Sequence, residues 1–197
     1  MLDWPSKMVE KRGKLMGLQT GFRAWMLRRW IKAKMKWSKI KRQPERELFV
    51  ASIMFKDLPR VPNMQDLEAL GIQYQPEFLL SIIPWDYQLT VMEVLKKKAA
   101  DCNSLNRVVQ MAALTKGYEA YLVTYWPDTG IADAHTTVIL KSKNEAGEKT
   151  WVPCDYGYFG PSFTSPDECV SHIAEEYKCR PLAYVAQDWK WKFQKLK

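Results

Sequence analysis

Histidine is scarce in this chain. There are two in 197 residues, and the four cysteines include no Cys-x-x-Cys pair. Structural and catalytic zinc sites draw on those residue types at close spacing, so no metal centre is expected. No cofactor-binding motif stands out either. Long apolar runs are missing as well. The best of them, Leu48 to Phe55 and Phe78 to Trp85, stop far short of the roughly 18 residues that a membrane-spanning helix needs. Near the N-terminus the apolar residues are broken by Lys and Arg, without the uninterrupted apolar core of an export signal. The expectation is a cytoplasmic protein whose cysteines are free thiols rather than disulfides. Internal repeats and low-complexity tracts are absent, which sets aside solenoid and disordered classes.

What the chain does have is apolar content and a lopsided charge. Apolar residues make up 47%, and nine of the residues are Trp, each needing a core or an interface to cover its ring. The net charge is +8. Residues 1–47 hold 14 Lys and Arg against 4 Asp and Glu, and the remaining residues hold 16 against 18. An arm of net +10 therefore precedes a body of net −2, and the basic character belongs to the arm. The reading divides the chain into a basic amphipathic helical arm, 1–47, and a single domain, 48–197.

The arm carries apolar residues at Leu15, Leu18, Phe22, Met26, Trp30, Ala33, Trp37 and Ile40, in steps of three or four, which predicts a helix over 13–43. Pro44 ends the pattern. Lys and Arg mixed with Trp suit four roles: docking on the body, binding a partner protein, lying on an anionic surface, or touching nucleic acid. Docking is the expected one, with the arm serving location or partner choice rather than chemistry.

Further on, Asn63 can cap a short helix ending before Gly71, and Thr90-x-x-Glu93 is a capping box for a helix to about Lys98. Asp101 opens a helix over Cys102 to Lys116, closed by Gly117. Three strand-like segments follow: Tyr118–Trp126, Ala134–Lys141 and Thr150–Asp155, with turn residues between them. Ser165-Pro166-x-Glu168 starts another helix, and Leu182 to Val185 reads as a last strand. The class is α+β, a helix packed on an antiparallel sheet.

Three residues in this order carry chemistry. Cys102 opens a helix, where the aligned peptide dipoles stabilise a thiolate and the Cys backbone N–H can donate to an oxyanion. His135 opens a strand, and Asp155 ends the next one. Taken singly, each has an ordinary explanation: a buried thiol, an edge histidine, a turn aspartate before Gly157. Antiparallel pairing, however, joins the start of one strand to the end of its neighbour, so His135 and Asp155 fall side by side. The helix can then present its thiol to the imidazole, with Asp155 fixing the tautomer and stabilising the imidazolium. Trp85 and Gln88 read as core or loop residues, with a second oxyanion donor as the alternative role. Cys154, next to Asp155 in its strand, points to the opposite face and reads as structural. His172, on a helix between Cys169 and Cys179, reads as a solvated helix residue.

The pattern resembles the transglutaminase-like superfamily of papain-type enzymes, which includes bacterial transglutaminase-like cysteine proteinases. The resemblance runs over roughly residues 80 to 160. It is carried by Ala100-Asp101-Cys102 at a helix start, by Lys116-Gly117-Tyr118 before the next strand, by His135-Thr136-Thr137-Val138-Ile139, and by Trp151-Val152-Pro153-Cys154-Asp155. Upstream, Trp85 and the capped helix at Thr90 match as well. Ala100, Asn103 and Thr136 depart from the residues usual there. The resemblance implies a papain-like core with Cys102, His135 and Asp155 as catalytic triad. It further implies acyl transfer from an amide of a protein or peptide substrate through a thioester. Water as acceptor makes a peptidase or amidase, an amine makes a cross-linking enzyme, and a non-catalytic binding module of the same fold is the remaining alternative.

Overall fold

Four helix starts in this chain are set by short side chains that satisfy the free N–H groups of the first turn. In the computed structural model, which describes residues 18–37, 41–75 and 89–197, Asn63 and Asp66 form a capping box for α3 (Met64–Ala69). Here α1 is Phe22–Trp37 and α2 is Pro44–Met54. Thr90 and Glu93 do the same for α4 (Val91–Lys97), and Ser165 and Glu168 for α6 (Pro166–Glu176). Asp101 caps α5 (Cys102–Thr115) through Ser104 N–H. Each such cap stabilises its helix by about 1 kcal/mol.

The strands are β1 (Gln73–Tyr74), β2 (Ala99–Ala100), β3 (Glu119–Pro127), β4 (His135–Lys143), β5 (Lys149–Asp155), β6 (Tyr158–Phe159), β7 (Pro181–Gln187) and β8 (Phe193–Gln194). The last six form one antiparallel sheet in the order β6-β5-β4-β3-β7-β8. The small parallel pair β1 and β2 leads the chain into Asp101. The α+β class and the helix-on-sheet arrangement read from the sequence are present. Among the described residues, no helix is long and apolar enough to cross a membrane.

Alternation along the strands divides the core. Leu122, Val138, Leu140 and Cys154 point to one side and pack on Val109 and Ala113 of α5. Val123, Tyr125, Ile139 and Trp151 point to the other side and pack on Val170, Ile173 and Ala174 of α6. Cys154 is thus fully buried in an apolar cluster.

Two features differ from the sequence expectation. Pro44 does not close a helix but opens one: it sits in the first turn of α2, where its missing N–H costs nothing. The arm–body boundary expected after residue 47 consequently falls inside α2, and Glu47 is buried in the body rather than belonging to an arm. Second, the arm helix is described from Phe22 and docks through a different face than its apolar stripe suggests. Leu27 and Ile31 are buried against Val185 of β7 and Ala24 is buried as well, whereas Phe22 and Met26 are exposed. The stripe positions Leu15 and Ile40 lie outside the described residues.

Glu47 and Arg107 form an ion pair with both side chains fully buried, Arg107 Nε donating to Glu47 Oε2 at 3.0 Å. Arg107 also donates to Gln110 Oε1 at 2.7 Å and to the Trp189 carbonyl at 2.8 Å, and its guanidinium lies 3.8 Å from the Trp191 ring centroid. Glu47 accepts from Val91 N–H and from Trp191 Nε1. Arg107→Met should strand the Glu47 carboxylate and lower unfolding stability by about 3–5 kcal/mol in a denaturant titration. Leu27→Ala should cost about 2–5 kcal/mol by the same measurement, because α1 is docked and not free.

Candidate active site

The β4–β5 register pairs Ile139 with Pro153, and its continuation sets Asp155 opposite Thr137, two residues along from His135 on the same face. A tight turn follows. Tyr156 (φ 48°) and Gly157 (φ 83°) occupy the two central positions between Asp155 and its partner Tyr158, the geometry of a two-residue hairpin with both residues left-handed. Gly157 is required twice over. A Cβ there would overlap the Pro62 carbonyl oxygen and lie 2.6 Å from Asn63 Cα.

The N-terminus of α5 lies against the start of β4. Asn106 Nδ2 donates to the Thr136 carbonyl at 2.8 Å and to Asp155 Oδ1 at 3.1 Å, and Asn106 Oδ1 accepts Tyr156 N–H at 2.8 Å. Asn103 and Thr136, two of the three departures from the family pattern, are hydrogen-bonded to each other, Thr136 Oγ1 donating to Asn103 Oδ1. Asp101 Oδ1 takes Ser104 N–H at 3.0 Å, and its carbonyl takes Leu105 N–H. Cys102 and Asn103 N–H stand in the turn where no intrahelical acceptor exists.

The structure brings all three sequence-predicted residues together. His135 Nε2 is 3.1 Å from both Asp155 carboxylate oxygens. The Cys102 thiol lines the same cleft as the imidazole, near enough for its charge to act on the ring. Because Nε2 faces the carboxylate, Nδ1 is the nitrogen left for sulfur. Tyr177 Oη donates to Asp155 Oδ2 at 2.8 Å, and its ring lies over His135 with centroids 4.5 Å apart. Tyr125 and Tyr156 contact the imidazole at 5.7 and 5.8 Å.

Burial by itself would discharge this histidine. The Asp155 hydrogen bond, then the nearby Cys102, outweigh burial and lift His135 to a pKa of about 10. Burial would likewise raise Asp155, but the His135 hydrogen bond and charge and the Tyr177 hydrogen bond hold it below the usual carboxylate range. Tyr177 is pushed up by burial and by the Asp155 charge, so it keeps its proton and acts as a donor.

Cys102 and His135 open onto a cleft of about 520 Å³. Its walls include Tyr74, Asn103, Asp133, Tyr177 and, from the arm helix, Trp30 and Lys34. The arm is therefore part of the cleft wall as well as docked on the sheet, which the sequence expectation of a purely locating arm did not include. Cys179 lines the same cleft, with its sulfur 3.3 Å from the Ala174 carbonyl oxygen. Tyr177 also borders a smaller cavity of about 250 Å³ with Phe159, Gly160 and His172. His172 there faces Glu176 at 3.4 Å and has no part in the triad. The candidate oxyanion donors Trp85 and Gln88 lie outside the described residues.

Sequence reasoning missed Asn106, Tyr177 and Trp30. Asn106 had a signal: a polar residue four positions after Cys102 on an otherwise apolar helix side shares its face. Tyr177 and Trp30 had none, since each reaches the site only through tertiary packing.

The raised pKa makes a signed prediction. Charged His135 stabilises the fold fully below about pH 6.5, and this contribution is lost as pH rises through about 10. The Asp155 contribution is present above its ordinary pKa and lost as pH falls through the lowered one. With His172→Asn leaving one imidazole, NMR should find the ring protonated from about pH 5 to 8, within the range where a free histidine titrates. Asp155→Asn should bring its titration down into that range. A midpoint near 6.5 in the otherwise unsubstituted site would refute the pairing. No protein-family model, curated protein or solved structure matches this chain, and the chemistry of the site is read from its own side chains.

Proposed function

We propose that this chain is a cysteine hydrolase of transglutaminase-like, papain-type build, acting on an amide of a protein or peptide substrate. The observation that carries the reading is the Asp155–His135 pair at 3.1 Å beside a thiol on a helix N-terminus. In this reading Cys102 sulfur attacks the amide carbonyl carbon. The oxyanion that forms faces the first-turn N–H groups of α5, which the helix leaves without internal acceptors. His135, charged by its setting, gives its Nδ1 proton to the departing amine as the C–N bond breaks, leaving a thioester. Neutral His135 then takes a proton from water as its oxygen attacks the thioester carbon. The thiolate leaves, and the acid product is released. Asp155 keeps Nε2 protonated and compensates the imidazolium throughout, with Tyr177 and Asn106 holding the carboxylate.

An amine in place of water at the second step would make the same site a cross-linker. A site used only for binding would give no turnover. Both alternatives are distinguished by assay with and without a primary amine.

The thiols make the first test. Burial pushes the Cys154 thiol up to about 12 and the Cys169 thiol further, so both are held as neutral SH. Cys179 is the cleft's other thiol and the fair competitor. Iodoacetamide followed by peptide mass mapping at neutral pH should find Cys102 carbamidomethylated well ahead of Cys179, with Cys154 and Cys169 protected until unfolding. Equal rates at Cys102 and Cys179 in the folded protein would overturn the catalytic reading. Asp155→Asn should slow turnover by about 10²–10⁴-fold, whereas Cys154→Ala should leave it nearly unchanged.

A further inference from the structure

The outer side of α1 combines two properties that its docking does not use. Six residues of the helix are Lys or Arg, all but Lys34 at least partly exposed, and none is acidic. Its inner side is buried on β7 through Leu27 and Ile31, yet Phe22 (74% exposed), Trp25 (48%) and Met26 (39%) stand outward in adjacent turns. Arg23, Arg29, Lys32 and Lys36 are exposed on the same helix.

The C-terminal tail joins this face. Gln19 and Leu196 exchange two hydrogen bonds, Gln19 Nε2 to the Leu196 carbonyl at 2.9 Å and Leu196 N–H to Gln19 Oε1 at 3.1 Å. Lys32 Nζ lies 5.6 Å from the Phe193 ring centroid. The exposed Lys192, Lys195 and Lys197 therefore stand beside α1. Two remote parts of the sequence build one cationic surface, on the helix that also lends Trp30 and Lys34 to the thiol cleft.

We infer that this face seats the protein on an anionic phospholipid bilayer, with Phe22, Trp25 and Met26 entering the headgroup boundary and the surrounding bases meeting lipid phosphates. Charge complementarity selects an anionic partner. The aromatic geometry selects a bilayer over a nucleic acid. The Phe22 and Trp25 rings stack on each other at 5.6 Å and 24°, and Arg29 lies 5.1 Å from the Trp25 centroid. A nucleic acid uses free ring faces as base platforms. Here Trp25 is engaged by Phe22 and Arg29, and Phe22, Trp25 and Met26 together form an exposed apolar patch flanked by cations, as an interfacial helix requires.

The test is vesicle flotation of the full chain. It should float with vesicles containing about a third phosphatidylglycerol and not with pure phosphatidylcholine, and added salt should weaken the association. Phe22→Ser with Trp25→Ser should reduce partitioning roughly tenfold or more, since both interfacial rings are lost. Arg29→Glu with Lys32→Glu should abolish it. All four positions face outward, so thermal melts should match the parent chain. Cys102→Ala should float as the parent does, which keeps this inference separate from the proposed chemistry. Absence of flotation with anionic vesicles would overturn the proposal. So would equal flotation with neutral vesicles, or indifference to the Phe22 and Trp25 changes. An oligonucleotide bound in a Trp25-dependent way while vesicles are not would replace the bilayer with nucleic acid.

Discussion

The pairing of Glu47 with Arg107 sets the geometry on which everything near the thiol depends. Both side chains are fully buried, and together they engage α2, the start of α4, the middle of α5 and the segment carrying Trp189 and Trp191. An ion pair removed from water returns little net stability, because desolvating both charges roughly cancels their attraction. Its effect is selective. A shifted α5 would leave two charges and several N–H groups without partners, so alternative dockings are disfavoured far more than the native one is favoured. Arg107 lies five positions after Cys102 in the same helix. Fixing the helix's rotation and height there fixes where its first turn, and hence the sulfur, meets the imidazole.

Much of this was legible in the sequence, where local chemistry decides the outcome. Asn63, Thr90, Asp101 and Ser165 mark helix starts because a short side chain must satisfy first-turn N–H groups whatever surrounds it. The convergence of His135 and Asp155 was legible because antiparallel pairing follows from two strands and a turn. The phase of α1 was not. Its sequence offers apolar residues on several sides, and the buried one is chosen by β7, which the arm's periodicity does not contain. Pro44 was equally ambiguous: the same ring that ends one helix suits the first turn of the next. Trp30 reaches the cleft only because α1 docks in that phase.

Asn103 and Thr136 show how departures from a pattern can be correlated. One lies in the first turn of α5 and the other is the neighbour of His135, and each supplies the other's hydrogen-bond partner. Replacing one alone would leave a polar group facing a mismatched neighbour, so the two are a unit. The aromatic surroundings of His135 act in a complementary way. Tyr125, Tyr156 and Tyr177 pack around the imidazole, and Asp155 and the thiol are the groups that determine its charge.

The close seat of Gly157 against Pro62 and Asn63 gives Asp155 a remote anchor. Asp155 is aimed by the turn that follows it, and that turn is held by a backbone segment more than ninety positions upstream that has no chemistry of its own. Changes that disrupt the proposed chemistry would therefore not map onto Cys102, His135 and Asp155 alone. A larger residue at 157, or a loop of different length around Pro62, would swing the carboxylate away from the imidazole while leaving Cys102, His135 and Asp155 in the sequence. A chain could keep the full Cys–His–Asp signature and still lack the proposed activity, and the Pro62–Gly157 contact is where that loss would be found.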